Sequence, residues 1–133
     1  MTNKLEITEY YELLALHRAL HVVRFARTEL APGLSGSPYL ADIAKRVVAV
    51  LREMEVSRGK PEWADNWLSQ IDPDGEVWQI AVSNAAQNPD RWNQRTHQEK
   101  LSHAWIYLSP FVYTDEMVEQ FVQQVDAQTS TAG

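Results

Sequence analysis

Two histidines, His17 and His21, lie one helical turn apart in a stretch with helical periodicity. Residues separated by four positions are neighbours on a helix surface, so the two imidazoles can share one metal ion. A site needs at least one further ligand, and Glu99 and His103 form a second pair with the same spacing. If the two helices are neighbours, these four residues are candidate ligands for a divalent transition metal such as zinc, nickel, copper or iron.

The same residues have a structural interpretation, which the sequence favours. The motif HExxH, which places a general base between two zinc ligands, is absent, and Arg18 is a poor neighbour for a cation. His17, His21 and Arg24 are then the polar face of an amphipathic helix. We therefore expect no cofactor, with a divalent transition metal as the alternative.

A loop rich in glycine and serine precedes the second predicted helix, with Gly33, Ser35, Gly36 and Ser37 near its start. Backbone N–H groups at a helix N-terminus can cradle an anion. The loop lacks the lysine and the spacing of a P-loop, and Ser35 does not lie in a nucleophile elbow, so an ordinary turn is favoured. The sequence contains no recognisable nucleophile and base pair and no cofactor fingerprint, which favours a protein that is not an enzyme.

Five tryptophans are a high number for 133 residues. Trp63 and Trp92 lie near predicted helix starts, where we expect exposure, whereas the other three fall on predicted inner faces. Phe25 and Leu14 lie at the border between the two faces of the first helix. Exposed aromatic side chains are typical of protein interfaces, so these four residues are predicted to form one.

Helices must position all of these residues, and the first helix is predicted over residues 5–31. Leu16, Leu20, Val23 and Leu30 form an apolar wall on one side, and the histidine row is expected on the opposite side. A wall this wide predicts either neighbours on several sides or a subunit interface.

Periodicity, capping residues and prolines predict the remaining helices. They cover residues 38–57, 62–71, 76–87, 90–108 and a last segment from 115 onward. Residues 76–82 also fit a strand, but Ala85 and Ala86 continue the helical pattern and no partner strand is visible. Residues 127–133 are predicted to be frayed. The expected fold is an all-α, compact bundle of five or six helices with a long central first helix, in a single domain spanning residues 1–133.

Charge and composition exclude several classes of protein. The net charge is −6, and it is uneven, with +2 in residues 1–60 and −8 in residues 61–133. An acidic chain without a basic cluster is a poor nucleic-acid binder. No apolar run approaches the about 20 residues that cross a bilayer, and no secretory signal begins the chain. With no cysteine, a reducing cytoplasm is the expected location.

The leading hypothesis is a small, non-enzymatic helical protein that acts through protein–protein interaction, with self-association included. The alternative is a helical bundle that binds a metal or a small apolar ligand, with enzymatic activity included. A second alternative is an acidic decoy of a nucleic-acid-binding protein, which would use the carboxylates of residues 62–76 and 115–126.

Overall fold

The fold is all-α, as the sequence predicts. A computed structural model describes residues 3–28 and 33–130, and over these residues it contains seven helices and no strand. The helices are α1 (Tyr10–Arg24), α2 (Pro38–Ser57), α3 (Pro61–Asn66), α4 (Glu76–Ala85), α5 (Pro89–Asn93), α6 (His97–Leu108) and α7 (Asp115–Ser130). The segment predicted as helix or strand is therefore helical, in α4. No helix within the described ranges is both long and apolar enough to cross a membrane.

The first helix differs from the prediction in length and position. It begins after Glu9, whose carboxylate accepts the Glu12 N–H, and it ends at Arg24 after 15 residues, so α2 with 20 residues is longer. The Asn84 side chain donates to the Arg24 carbonyl at 3.0 Å, which provides that carbonyl with a partner outside the helix. α1 packs mainly against α2 and is not central. Leu30, assigned to the apolar wall, lies outside the described residues.

The buried face of α1 also differs from the prediction. Leu13, Leu20 and Arg24 are buried, and His17 and His21 are half-buried beside them. On a helical wheel the histidine row lies about 120° from the Leu16 and Val23 row, and not opposite to it. α1 buries the boundary between the two rows, so the histidines face the protein interior.

α2 matches its predicted range because its start signals are local. The Ser37 hydroxyl accepts the Leu40 N–H, and Pro38 occupies the first helical position. α2 and α1 share an apolar cluster whose buried members are Leu13, Leu20, Ala44, Val47 and Leu51.

The predicted helix over 90–108 is two helices, which explains the count of seven. Thr96 interrupts it with a capping box, in which its hydroxyl accepts the Glu99 N–H and the Glu99 carboxylate accepts the Thr96 N–H. α5 is left as a helix of five residues, and α6 begins at His97.

The larger apolar cluster joins α4, α5, α6 and α7 and includes Trp78, Trp92, Leu108 and Phe121. α7 continues to Ser130, so the fraying predicted from residue 127 does not begin there, and residues 131–133 lie outside the described part. The Thr129 hydroxyl is buried and hydrogen-bonded to the Val125 carbonyl, which anchors the last turn.

Arg24 connects the end of α1 to the end of α6. Its side chain is 2% exposed, and its guanidinium donates to the carbonyls of Ile106, at 2.7 Å, and Ser109. Residue 110 is a proline without an N–H, so the usual donor to the Ile106 carbonyl is missing and Arg24 replaces it. Burial lowers the pKa of Arg24 to about 10, so the side chain remains charged at neutral pH.

Candidate functional site

The two histidines line a concavity of about 230 Å³ between α1, α2 and two loops, which we name the histidine pocket. The ring of His17 lies edge-on to Trp67 at 4.9 Å, and the ring of His21 lies 5.1 Å from Phe25 and 6.1 Å from Phe111. The rest of the lining is Val48, Asn66, Ser69 and Pro110. A cavity of this size and lining suits a small apolar group.

The pKa values of both histidines are lowered. Burial disfavours the imidazolium form of both side chains. A positive charge on His21 further lowers the pKa of His17, and the charge of Arg24 further lowers the pKa of His21. Both imidazoles are therefore neutral at pH 7, and the pocket carries no charge from them.

The lowered pKa values predict that the protein loses stability as the pH falls below the ordinary histidine pKa of 6.5. The unfolded chain binds protons at histidine with the ordinary pKa of 6.5, whereas the folded protein resists protonation. The contribution of the two neutral histidines to stability is complete above pH 6.5, and it is lost as the pH falls through their folded-state pKa values. Urea denaturation at a series of pH values measures this slope.

The double variant His17→Gln/His21→Gln should flatten this pH dependence. An unchanged slope in the double variant would show that other groups cause the effect.

The structure does not bring the four predicted metal ligands together. No three His, Asp or Glu side chains within residues 3–28 and 33–130 are placed to hold one metal ion. Glu99 is engaged in the capping box, where the Thr96 N–H lowers its pKa, and the Nδ1 atom of His103 donates to the Glu99 carbonyl at 2.6 Å. The shared spacing of the two pairs gave no information on the distance between them.

The four predicted interface residues differ in exposure. Trp63 is 42% exposed and Leu14 is half-buried. Phe25 and Trp92 are buried, and Trp92 is only 1% exposed. The expectation that Trp92 is exposed is therefore wrong. α5 turns its tryptophan into the core, where the indole N–H donates to Asp126 at 2.8 Å.

An exposed apolar stripe runs along the other side of α1. We name this stripe the outer face of α1; its members are Tyr11, Ala15, Ala19 and Val22, all exposed to solvent. Tyr11 is 68% exposed and Val22 is 60% exposed. Ala15, Ala19 and Val22 belong to the apolar wall that the sequence predicts for the first helix, and their exposure shows that the described residues leave this part of the wall uncovered.

A second concavity, of about 240 Å³, lies where the loop before α2 meets α4, α5 and α6; we name it the arginine pocket. Its lining includes Gly36, Asn84, Arg91, Trp92, Arg95 and Tyr107. Sequence reasoning identified the glycine-rich loop but not the arginines. The spacing of four between Arg91 and Arg95 was the available signal.

Comparison of the chain with protein-family models, with curated proteins and with solved structures found no match.

Proposed function

We propose that this protein is a non-enzymatic binding protein that docks against another protein chain through the outer face of α1. The observation that carries the proposal is the exposure of Tyr11, Ala15, Ala19 and Val22 on one side of this helix. The solvent side of a surface helix normally carries charged and polar residues. Here Glu12 and Arg18 are the only charged residues among the exposed positions of α1.

The position of α1 supports the same conclusion. A wide apolar surface on a helix implies either several neighbouring helices or a partner molecule. α1 packs mainly against α2 and has no comparable neighbour among the other described helices. A partner is therefore the remaining way to remove this surface from water.

A second copy of the chain is the first partner to test. Residues 1–60, which include α1, carry a net charge of +2, whereas residues 61–133 carry −8. Opposite charge on two protein surfaces favours encounter and orientation in protein complexes.

Among the described residues that line the histidine pocket, no hydroxyl is hydrogen-bonded to an imidazole. Ser69 is the hydroxyl residue of that pocket, and its hydroxyl donates to the Asn66 carbonyl at 3.1 Å rather than to an imidazole. A nucleophile is activated by a base within hydrogen-bond reach, and this serine lacks that arrangement.

We expect Val22→Glu to weaken self-association by at least about tenfold, because a charge at a buried interface position must be desolvated. Sedimentation velocity over a range of concentrations measures the dissociation constant against the 15.2 kDa monomer. Val56→Glu is the matched control, since Val56 is 56% exposed on a different helix. Equal effects of the two substitutions would contradict the docking surface.

If the chain is a monomer at every concentration, a photo-crosslinking amino acid at position 11 tests for a different partner. The same amino acid at position 39 is the control, because Tyr39 is also a highly exposed tyrosine. We expect an adduct at position 11 that is absent at position 39 and is lost on adding Val22→Glu. A monomer that gives no such adduct would overturn the proposal.

A further inference from the structure

The arginine pocket concentrates positive charge in an otherwise acidic protein. Arg91 and Arg95 both line it, and the described lining contains no carboxylate. Neither guanidinium has a hydrogen-bond or ion-pair partner within residues 3–28 and 33–130. Two unpaired guanidiniums beside one concavity attract an anion, because a cleft with one sign of charge focuses the potential.

Glu99, the acid of the following helix, lies near Arg95 but forms no ion pair with it. Glu99 is close enough for Arg95 to help lower its pKa, but its carboxylate accepts the Thr96 N–H at 2.9 Å in the capping box. The side chain of Arg95 therefore remains available to the pocket.

The other side of the pocket is preformed. Asn84 is buried, and its side-chain amide is held by the Arg24 carbonyl at 3.0 Å. Trp92 is only 1% exposed behind the pocket and is fixed there by its hydrogen bond to Asp126. A preformed wall lowers the entropic cost of binding, because few side chains must be ordered when the ligand arrives.

Tyr107 adds a further donor beside the loop. Its hydroxyl oxygen would be only 3.3 Å from a Cβ atom at Gly36, so a glycine at this position allows the loop to approach the tyrosine closely. In the part of the chain that the structure describes, this hydroxyl has no hydrogen-bond partner. It can therefore donate to an anion bound between the loop and the arginines.

We propose that the arginine pocket binds a small phosphate monoester, with Arg91 and Arg95 holding the phosphate group. A guanidinium presents parallel N–H donors that match two phosphate oxygens, and two guanidiniums balance the two charges of the ester. About 240 Å³ accommodates the phosphate with a small organic group. This site is separate from the outer face of α1, so it does not depend on the proposed docking.

Isothermal titration calorimetry tests the proposal with phenyl phosphate, inorganic phosphate and benzoate, each at constant ionic strength. We expect one saturable site that binds phenyl phosphate most tightly. Arg91→Gln and Arg95→Gln should each weaken this binding by at least about tenfold, and Arg95→Lys by less, because lysine keeps the charge but loses the paired donors. Arg46→Gln is the control, since Arg46 is an exposed arginine on α2 outside the pocket.

The relative affinities of the three ligands and of the variants decide whether the arginine pocket is a phosphate-ester site. Tighter binding of benzoate would overturn the assignment to phosphate, and binding of inorganic phosphate alone would overturn the assignment to an ester. Equal losses in Arg91→Gln and Arg46→Gln would show that the effect is general charge attraction, and would overturn the site. Because Arg91 is exposed, its substitution should leave the fold intact, which circular dichroism verifies.

Discussion

Trp92→Ala is expected to lower the free energy of unfolding by about 3–5 kcal/mol, the range typical of a buried tryptophan. The side chain is 1% exposed in the larger apolar cluster, so its removal leaves a cavity between α5 and α7. The substitution also leaves Asp126 without the indole N–H, although Lys100 still pairs with that carboxylate at 2.7 Å. Urea denaturation followed by circular dichroism measures the loss.

Trp63→Ala provides the matched control, because Trp63 is the tryptophan that the sequence and the structure both place at the surface. Its loss of stability should be much smaller than that of Trp92→Ala. Trp92→Phe should give an intermediate loss, since it retains an aromatic ring but not the indole N–H. If Trp92→Ala were as stable as Trp63→Ala, the burial of α5 against α7 would be wrong.

Arg24→Met is expected to cost about 3 kcal/mol of stability, since it removes two charged hydrogen bonds to buried carbonyls. Methionine fills most of the volume but cannot donate to the Ile106 and Ser109 carbonyls. Pro110 has no N–H to replace the lost donor at Ile106, so the carbonyl stays unpaired away from water. The midpoint of urea denaturation should fall accordingly.

Arg18→Met is the control for this experiment, because Arg18 lies on α1 but is exposed. A surface substitution of this kind usually changes stability by less than about 0.5 kcal/mol. Arg24→Lys should recover part of the loss, since an ammonium can reach one carbonyl. Equal effects of Arg24→Met and Arg18→Met would contradict a stabilising role for the buried guanidinium.

Much of the helix pattern could be predicted because helix ends are encoded by nearby residues. Ser37 and Pro38 start α2, and the Thr114 hydroxyl accepts the Met117 N–H at the start of α7. The same rule explains the difference at Thr96: periodicity predicts one helix over 90–108, but Thr96 and Glu99 form a capping box that begins α6.

The candidate sites were harder to predict, because they depend on which side of each helix meets a neighbour. Periodicity predicts the apolar row and the histidine row of α1, but it does not predict which boundary between these two rows is buried. His17 and His21 were correctly singled out as one surface, yet that surface meets Trp67 and Phe111 rather than Glu99 and His103. The residues that His17 and His21 contact come from distant segments of the chain, so no pattern in the local sequence predicts them.

The sequence by itself determined that this chain is all-α and where α2 begins, because helix periodicity and capping act over a few residues. Only the tertiary structure decided that Arg24 and Trp92 are inside and that the outer face of α1 is outside. It also brought Arg91 and Arg95 to the loop of Gly36, more than 50 residues earlier in the chain. Those outcomes depend on packing between distant segments, where burial of one face excludes burial of another.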